Sequence, residues 1–271
     1  MKQNCDSIEI DPSSAFQIVD DITKSWGRTV VPFYVADNKS KHRLLGCGSG
    51  FLAAYKNRLY LVTALHVIND LPSGEALIAN IGGKGVLING LPFKISRDAD
   101  IAVALLHDFW LTTNKVHGVH ALPIKLKADQ DQSLNIYILI GYPGAKNIIN
   151  GNIGSRDRNL MGYSFFEKIE NVKAKTHIKN PIGFRFDKKS ATDSNGNRVD
   201  GGRFNGNSGG PVIESVIDPR NFFSAGLSIR FSGVFLGWDK SSKEIICARP
   251  ENLIKLLEEI DHSINFGASK T

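Results

Sequence analysis

Three residues of this chain could together activate a hydroxyl group: His66, Asp100 and Ser208. Ser208 lies in Gly206-Asn207-Ser208-Gly209-Gly210-Pro211, a glycine turn followed at once by the apolar pair Val212-Ile213. Glycines let the backbone take positive φ and let a carbonyl approach the main chain. The amides of Gly206 and Ser208 can then converge on one point and hold a developing oxyanion. Taken alone, the segment is also an ordinary turn between strands, since Gly, Asn and Ser are common turn residues. A serine is a poor nucleophile near neutral pH. It needs a base within hydrogen-bond reach, and the base needs a group that fixes its tautomer. His66 closes the apolar run Leu61-Val62-Thr63-Ala64-Leu65, and Asp100 heads another, Ile101 to Leu106. His66 would take the proton from Ser208, and Asp100 would orient His66 and stabilise its imidazolium. Asp98 competes for that place, but Asp100 is the one directly followed by the strand. A lone histidine is more often a satisfied core or surface residue, so the weight falls on the three motifs together.

The elements that must position these residues read mainly as strands. Ser13 and Ser14 can cap a helix, and Ala15, Ile18, Val19, Ile22 and Trp26 then recur at helical spacing. Short β-branched and aromatic segments follow. They cover Thr29 to Val35, Leu44 to Ala54, Arg58 to Ala64, Ala76 to Ile81, Gly85 to Ile88, Phe93 to Ile95 and Ile101 to Leu106. Tyr55-Lys56-Asn57 would turn a hairpin between the second and third. Regularly spaced short strands with Gly and Asn turns mark an all-β chain. Residues 107 to 132, rich in Thr, Asn, Pro, Lys and Asp, read as a connector. Further strands are expected at Leu134 to Ile140, within Glu167 to Ile178, and at Ile182 to Phe186, Val212 to Ile217, Leu227 to Leu236 and Glu244 to Cys247. Pro250 suits the first position of a C-terminal helix, with Leu253, Leu256, Leu257 and Ile260 on one face.

In the order His, Asp, Ser, the motifs T-A-x-H-V, D-I-A-V and G-N-S-G-G-P resemble those of the chymotrypsin/trypsin-like serine peptidases. The likeness is greatest to the compact bacterial members, which lack the disulfides of secreted digestive enzymes. An apolar strand followed by Gly141-Tyr142-Pro143-Gly144 is a fourth match, and the likeness runs from about Arg43 to about Leu257. The resemblance implies two six-stranded antiparallel β-barrels with N- and C-terminal helices. The expected divisions are an extension and helix at 1–28, a first barrel at 29–110, a connector at 111–133, a second barrel at 134–250 and a helix and tail at 251–271. It implies a serine endopeptidase acting on a protein or peptide substrate through an acyl-enzyme, with Gly206 and Ser208 as the oxyanion hole. It implies no metal and no organic cofactor.

The chain also departs from that pattern. Where zymogen-derived members carry an aspartate before the serine, Asn207 stands here, and no I-V-G-G segment precedes the first barrel. Gly202 falls at the base of the specificity pocket, where an aspartate would attract Lys or Arg. Arg203, beside it, could favour an acidic residue, although an exposed loop arginine is the plainer reading. Leu236 falls where a serine is usual, and Trp238 could narrow the pocket. Residues 187 to 203 form a long polar stretch before the serine. These departures keep a second expectation alive, a weak or inactive module of peptidase fold that binds a peptide or protein partner. A G-x-S-x-G esterase elbow is disfavoured, because a strand rather than a helix follows Ser208.

Composition sets the outer limits. The chain has 271 residues, 42% of them hydrophobic, enough for one large β domain or two small barrels. No apolar run approaches bilayer-spanning length. The first ten residues lack the apolar core of a secretory signal, and the cysteines are three, Cys5, Cys47 and Cys247. An odd, sparse count suits a reducing compartment, so a cytoplasmic and bacterial setting is expected. Val67 occupies the place of the partner Cys47 would have in secreted relatives. The net charge of +6 is scattered, which fits solubility rather than nucleic-acid or membrane binding. His107, His117 and His120 fall in the connector and are assigned no metal role. A regulatory protein partner is an open possibility.

Overall fold

The computed structural model describes residues 12–36, 43–71, 75–125, 134–144, 148–150, 160–165, 167–187, 204–217 and 228–268. Helix α1 (Pro12–Trp26) runs through a single 3₁₀ turn into β1 (Val30–Ala36). Because the helix starts at Pro12, Ser13 and Ser14 fall inside its first turn rather than capping it. Strands β2 (Arg43–Tyr55) and β3 (Arg58–Ala64) form the expected hairpin. Its two loop residues, Lys56 and Asn57, both take positive φ (45° and 61°), the geometry that matches the twist of a two-residue hairpin. Helix α2 (Leu65–Asn69) carries His66. Strands β4 (Ile78–Ile81), β5 (Lys84–Leu87), β6 (Lys94–Ser96) and β7 (Ile101–Leu105) complete this half.

The connector is more structured than its composition suggests. It holds helix α3 (Asp108–Thr113) and a short strand β8 (Leu122–Pro123). His107 caps α3, its imidazole Nδ1 accepting from the Trp110 amide at 3.2 Å. Then follow β9 (Leu134–Gly141), β10 (Ile148–Asn150), β11 (Met161–Phe165) and β12 (Lys168–Ile169). Last come β13 (Ile182–Arg185), β14 (Pro211–Ile217), β15 (Ser228–Asp239), β16 (Glu244–Ala248) and helix α4 (Pro250–Ala268). Of the expected strand content in Glu167 to Ile178, the two-residue β12 forms.

These strands make two sheets, antiparallel but for one short strand, flanked by terminal helices, the arrangement expected of the chymotrypsin-like two-barrel fold. The first runs β5-β4-β1-β2-β3-β7-β6, and the second runs β11-β9-β14-β15-β16-β13-β12. The six-and-six strand count is corrected to nine and seven among the described residues. The cause is β2, which outruns both its neighbours. Its overhanging ends are covered by β10, antiparallel along Arg43–Leu45, and by β8, parallel along Ala53–Ala54. β10 comes from the second half of the sequence, so it ties the two halves together.

Alternation along β9 sorts its side chains between two cores. Ile136, Ile138 and Ile140 face a large cluster shared with the first sheet and with Leu253 and Leu257 of α4. Tyr137 and Leu139 face a second cluster with Phe165, Phe184, Phe204, Val212 and Phe235. Each fully buried side chain of this size contributes about 1.5–3 kcal/mol. Although last in sequence, α4 also reaches the first sheet, where Arg58 bridges Asp261 at 2.6 Å. α1 packs on β11, with Val19 and Thr23 against Gly162.

Candidate active site

His66 and Asp100 meet where β3 and β7 pair, Ala64 standing opposite Ile101. Asp100 Oδ2 lies 2.6 Å from His66 Nδ1, and Asp100 Oδ1 accepts from the His66 amide at 3.0 Å. The Asp100 carbonyl accepts from the Leu65 amide at 3.0 Å. The aspartate is thus fixed to consecutive residues by both its side chain and its main chain. To do this its backbone adopts φ 53°, a region uncommon for a residue with a Cβ and tolerated best by Asn and Asp. Asp98, the competitor, points elsewhere and pairs with Lys179 at 2.9 Å.

The carboxylate is 5% exposed and the imidazole is half-buried. With Asp100 on Nδ1, the neutral tautomer carries its proton there and leaves Nε2 as the base. Burial pulls the proton affinity of His66 down. The hydrogen bond and charge of Asp100, with a smaller push from Asp70, outweigh it, so the pKa stands above that of an ordinary imidazole.

The turn bearing Ser208 is pinned peptide by peptide. The Asn205 carbonyl accepts from the Gly144 amide at 2.8 Å, and the Asn207 carbonyl accepts from Gly210 at 2.8 Å. The Gly206 carbonyl accepts from the Ser49 hydroxyl at 2.7 Å, and the Ser208 carbonyl accepts from the Ser49 amide at 2.8 Å. The Gly209 amide donates to the Phe235 carbonyl at 2.7 Å. What remains is informative: among the described residues the Gly206 and Ser208 amides donate to nothing. They are the two amides expected to hold an oxyanion.

Two glycines make this turn possible. Gly206 (φ 91°) would place a Cβ 2.1 Å from the Gly144 nitrogen, and Gly209 (φ 89°) would place one 2.1 Å from the Ser49 carbonyl oxygen. That same Gly209 position lies 2.8 Å from the Ala64 nitrogen. The turn is therefore seated on the strand end that leads into His66.

Ser208 itself donates to the Leu236 carbonyl at 3.3 Å, and not to His66. This is long for a hydroxyl donor, so the group is weakly held. Leu236 is the extra residue of a β-bulge between β15 and β16, and bulges re-aim groups beside functional sites. Its side chain is buried in the large core. Trp238 leans on Phe204 and Phe186, with ring centroids at 5.7 and 6.2 Å. Asn207 is fully buried against Gly141. Gly202 and Arg203 lie outside the described residues.

One residue escaped the sequence reading. Ser49 on β2 is fully buried. Its hydroxyl also accepts from the Tyr142 amide at 3.0 Å, and its carbonyl accepts from the Thr63 hydroxyl at 2.7 Å. It joins β2, β3, the segment after β9 and the Ser208 turn. The signal was a hydroxyl flanked by glycines inside a strand, Gly48-Ser49-Gly50. Nearby Cys47 is a free cysteine whose thiol burial pushes up to about 12. Among the described residues no cluster of His, Cys, Asp and Glu could hold a metal ion, and no helix is long and apolar enough to cross a membrane.

No protein-family model matches the chain, and no curated protein matches it in sequence. Solved structures of similar shape include two of the Rv3671c protease from M. tuberculosis and the apo MamO protease domain from Magnetospirillum magneticum. The inactive form of Rv3671c, a serine-to-alanine mutant, is 16% identical with TM-score 0.47, over 94% of this chain and 95% of that one. The active form is 16% identical with TM-score 0.49, over 89% and 85%. MamO is 11% identical with TM-score 0.45, over 85% and 96%. At these values they are likenesses of fold, and what the site can do follows from its own atoms.

Proposed function

We propose that this chain is a serine endopeptidase in which Ser208 is the nucleophile, His66 the general base and then acid, and Asp100 the residue that orients His66. The observation that carries this is the pinned turn whose Gly206 and Ser208 amides donate to no acceptor among the described residues, seated beside the His66–Asp100 pair. A substrate carbonyl oxygen would receive those two amides. Ser208 Oγ would attack the carbonyl carbon as His66 Nε2 takes its proton. The imidazolium, held by Asp100, would return the proton to the leaving amine as the C–N bond breaks. Water, deprotonated by His66, would then attack the acyl-enzyme and release the acid and the free Ser208 hydroxyl. In the cytoplasmic setting expected from the sequence, such a peptidase must be narrow in specificity or conditionally activated.

The bond from Ser208 to Leu236 favours a second reading, a module that binds peptide without turning it over. Fluorophosphonate labelling separates the two, because an activated serine displaces the leaving group on phosphorus readily. Intact mass should show one adduct on the wild type and none on Ser208→Ala. No adduct on either would remove the peptidase reading.

A further inference from the structure

Beyond the Ser208 turn, two polar residues of the second sheet are buried, Glu214 on β14 and Ser232 on β15. Glu214 is 5% exposed and, among the described residues, receives a single hydrogen bond, from the Tyr137 hydroxyl at 3.3 Å. No ion pair reaches it among those residues. A carboxylate removed from water ordinarily gathers several donors or a cation, because its desolvation is costly. Ser232 is 6% exposed, and its hydroxyl has no partner among the described residues. It is the extra residue of the β-bulge between β14 and β15, a device that redirects a side chain.

Both groups line one cavity of about 340 Å³, and the apolar Ile182, Phe231 and Ile254 line it too. That size lies at the lower end of ligand sites. Glu214 follows Val212 by two positions on β14 and so shares its face, which belongs to the interior of the second barrel. The cavity is therefore at a mouth of that barrel, where the start of α4 crosses it. Around it stand Lys125, Lys168, Arg230 and Arg249, against the carboxylates of Glu214 and Glu251. Lys168 and Arg249 each bridge Glu170 at 2.8 Å rather than Glu214.

This charge arrangement limits what can enter. A simple amine suits Glu214 but is repelled by the basic surround. A simple anion suits the surround but meets a buried carboxylate. A ligand with opposite charges at its two ends satisfies both. We infer that this cavity binds a short zwitterionic peptide of about dipeptide size, its ammonium on Glu214 and Ser232. Its carboxylate then faces the basic side chains, and its apolar side chains lie against Ile182, Phe231 and Ile254. The inference does not depend on Ser208 being active.

The test uses the full chain carrying Ser208→Ala, so that nothing is consumed, with isoleucine methyl groups labelled for NMR. Leucyl-leucine should shift the Ile182, Ile229 and Ile254 methyl signals saturably, and N-acetyl-leucyl-leucine should not. Glu214→Gln, which keeps the side-chain shape, should weaken binding at least about tenfold. Ser232→Ala, a smaller change, should weaken it in the same direction if Glu214→Gln does not fold. The inference fails if no saturable shift occurs, if the acetylated peptide binds equally, or if the shifts fall at Ile68 beside His66 instead. Because no activity is read, such a failure is distinct from failure of fluorophosphonate labelling.

Discussion

In the first sheet, His66 and Asp100 hold each other directly, by side chain and by main chain, with little help from elsewhere. In the second, the turn carrying Ser208 is held by residues far away in sequence, Ser49 from β2 and Gly144 from beyond β9. The half of the candidate site proposed to handle protons is local and self-contained, whereas the half proposed to shape an oxyanion pocket is borrowed. Damage to the first should therefore change chemistry without changing shape. Damage to the second should change shape, and through it chemistry.

The sharpest test of this contrast is Asp100→Asn. It keeps the volume but denies His66 its correct tautomer, and should lower the rate of Ser208 acylation by about 10⁴-fold, as in other triads. Thermal stability should change little by comparison. A loss under tenfold would break the proposed roles. Next comes Ser49→Ala, which leaves the Gly206 carbonyl and the Tyr142 amide short of a partner. Acylation by p-nitrophenyl acetate should slow by about 10–100-fold, and stability should fall by about 1–3 kcal/mol, the cost of leaving buried groups unpaired. Unchanged acylation with lowered stability would mean that the turn keeps its shape without Ser49.

A smaller effect is expected from pH. His66 must be neutral to accept a proton, and Asp100 raises its pKa. The acid limb of the labelling rate should therefore lie above the ordinary imidazole value of about 6.5, and Asp100→Asn should move it down. Stability runs the opposite way. The raised folded-state pKa contributes stability that is fully present below the unfolded value and lost as pH rises through the folded one. The mildest effect concerns Cys47. With its thiol pushed up to about 12, it should react with iodoacetamide at pH 8 far more slowly than a free cysteine, as intact mass would show.

What could be read from the sequence follows the same divide. The hairpin of β2 and β3, and the strands that follow Asp100 and Ser208, were legible because alternation and turn residues are local. So were His66, Asp100 and Ser208, each marked by its neighbours. α3 was not legible, because it has six residues and its cap is a histidine, His107, in a stretch of connector composition. β10 and β11 were hidden at the margins of an Asn-, Gly- and Arg-rich run. β10 exists because β2 overhangs its neighbours, which no local pattern announces. Ser49 was illegible for the same reason, since its partners lie 93 and 157 residues away.

That last separation has a consequence in time. A ribosome adds about 5–20 residues per second, so the 157 residues between Ser49 and Gly206 take about 8–30 s to make. Throughout that interval the growing chain holds His66 and Asp100 but not Ser208. When Ser208 does emerge, its turn still cannot take shape until β2 is in place to receive it. The order of synthesis thus makes the first half a mould for the second, and the turn carrying Ser208 is the last part of the candidate site to set.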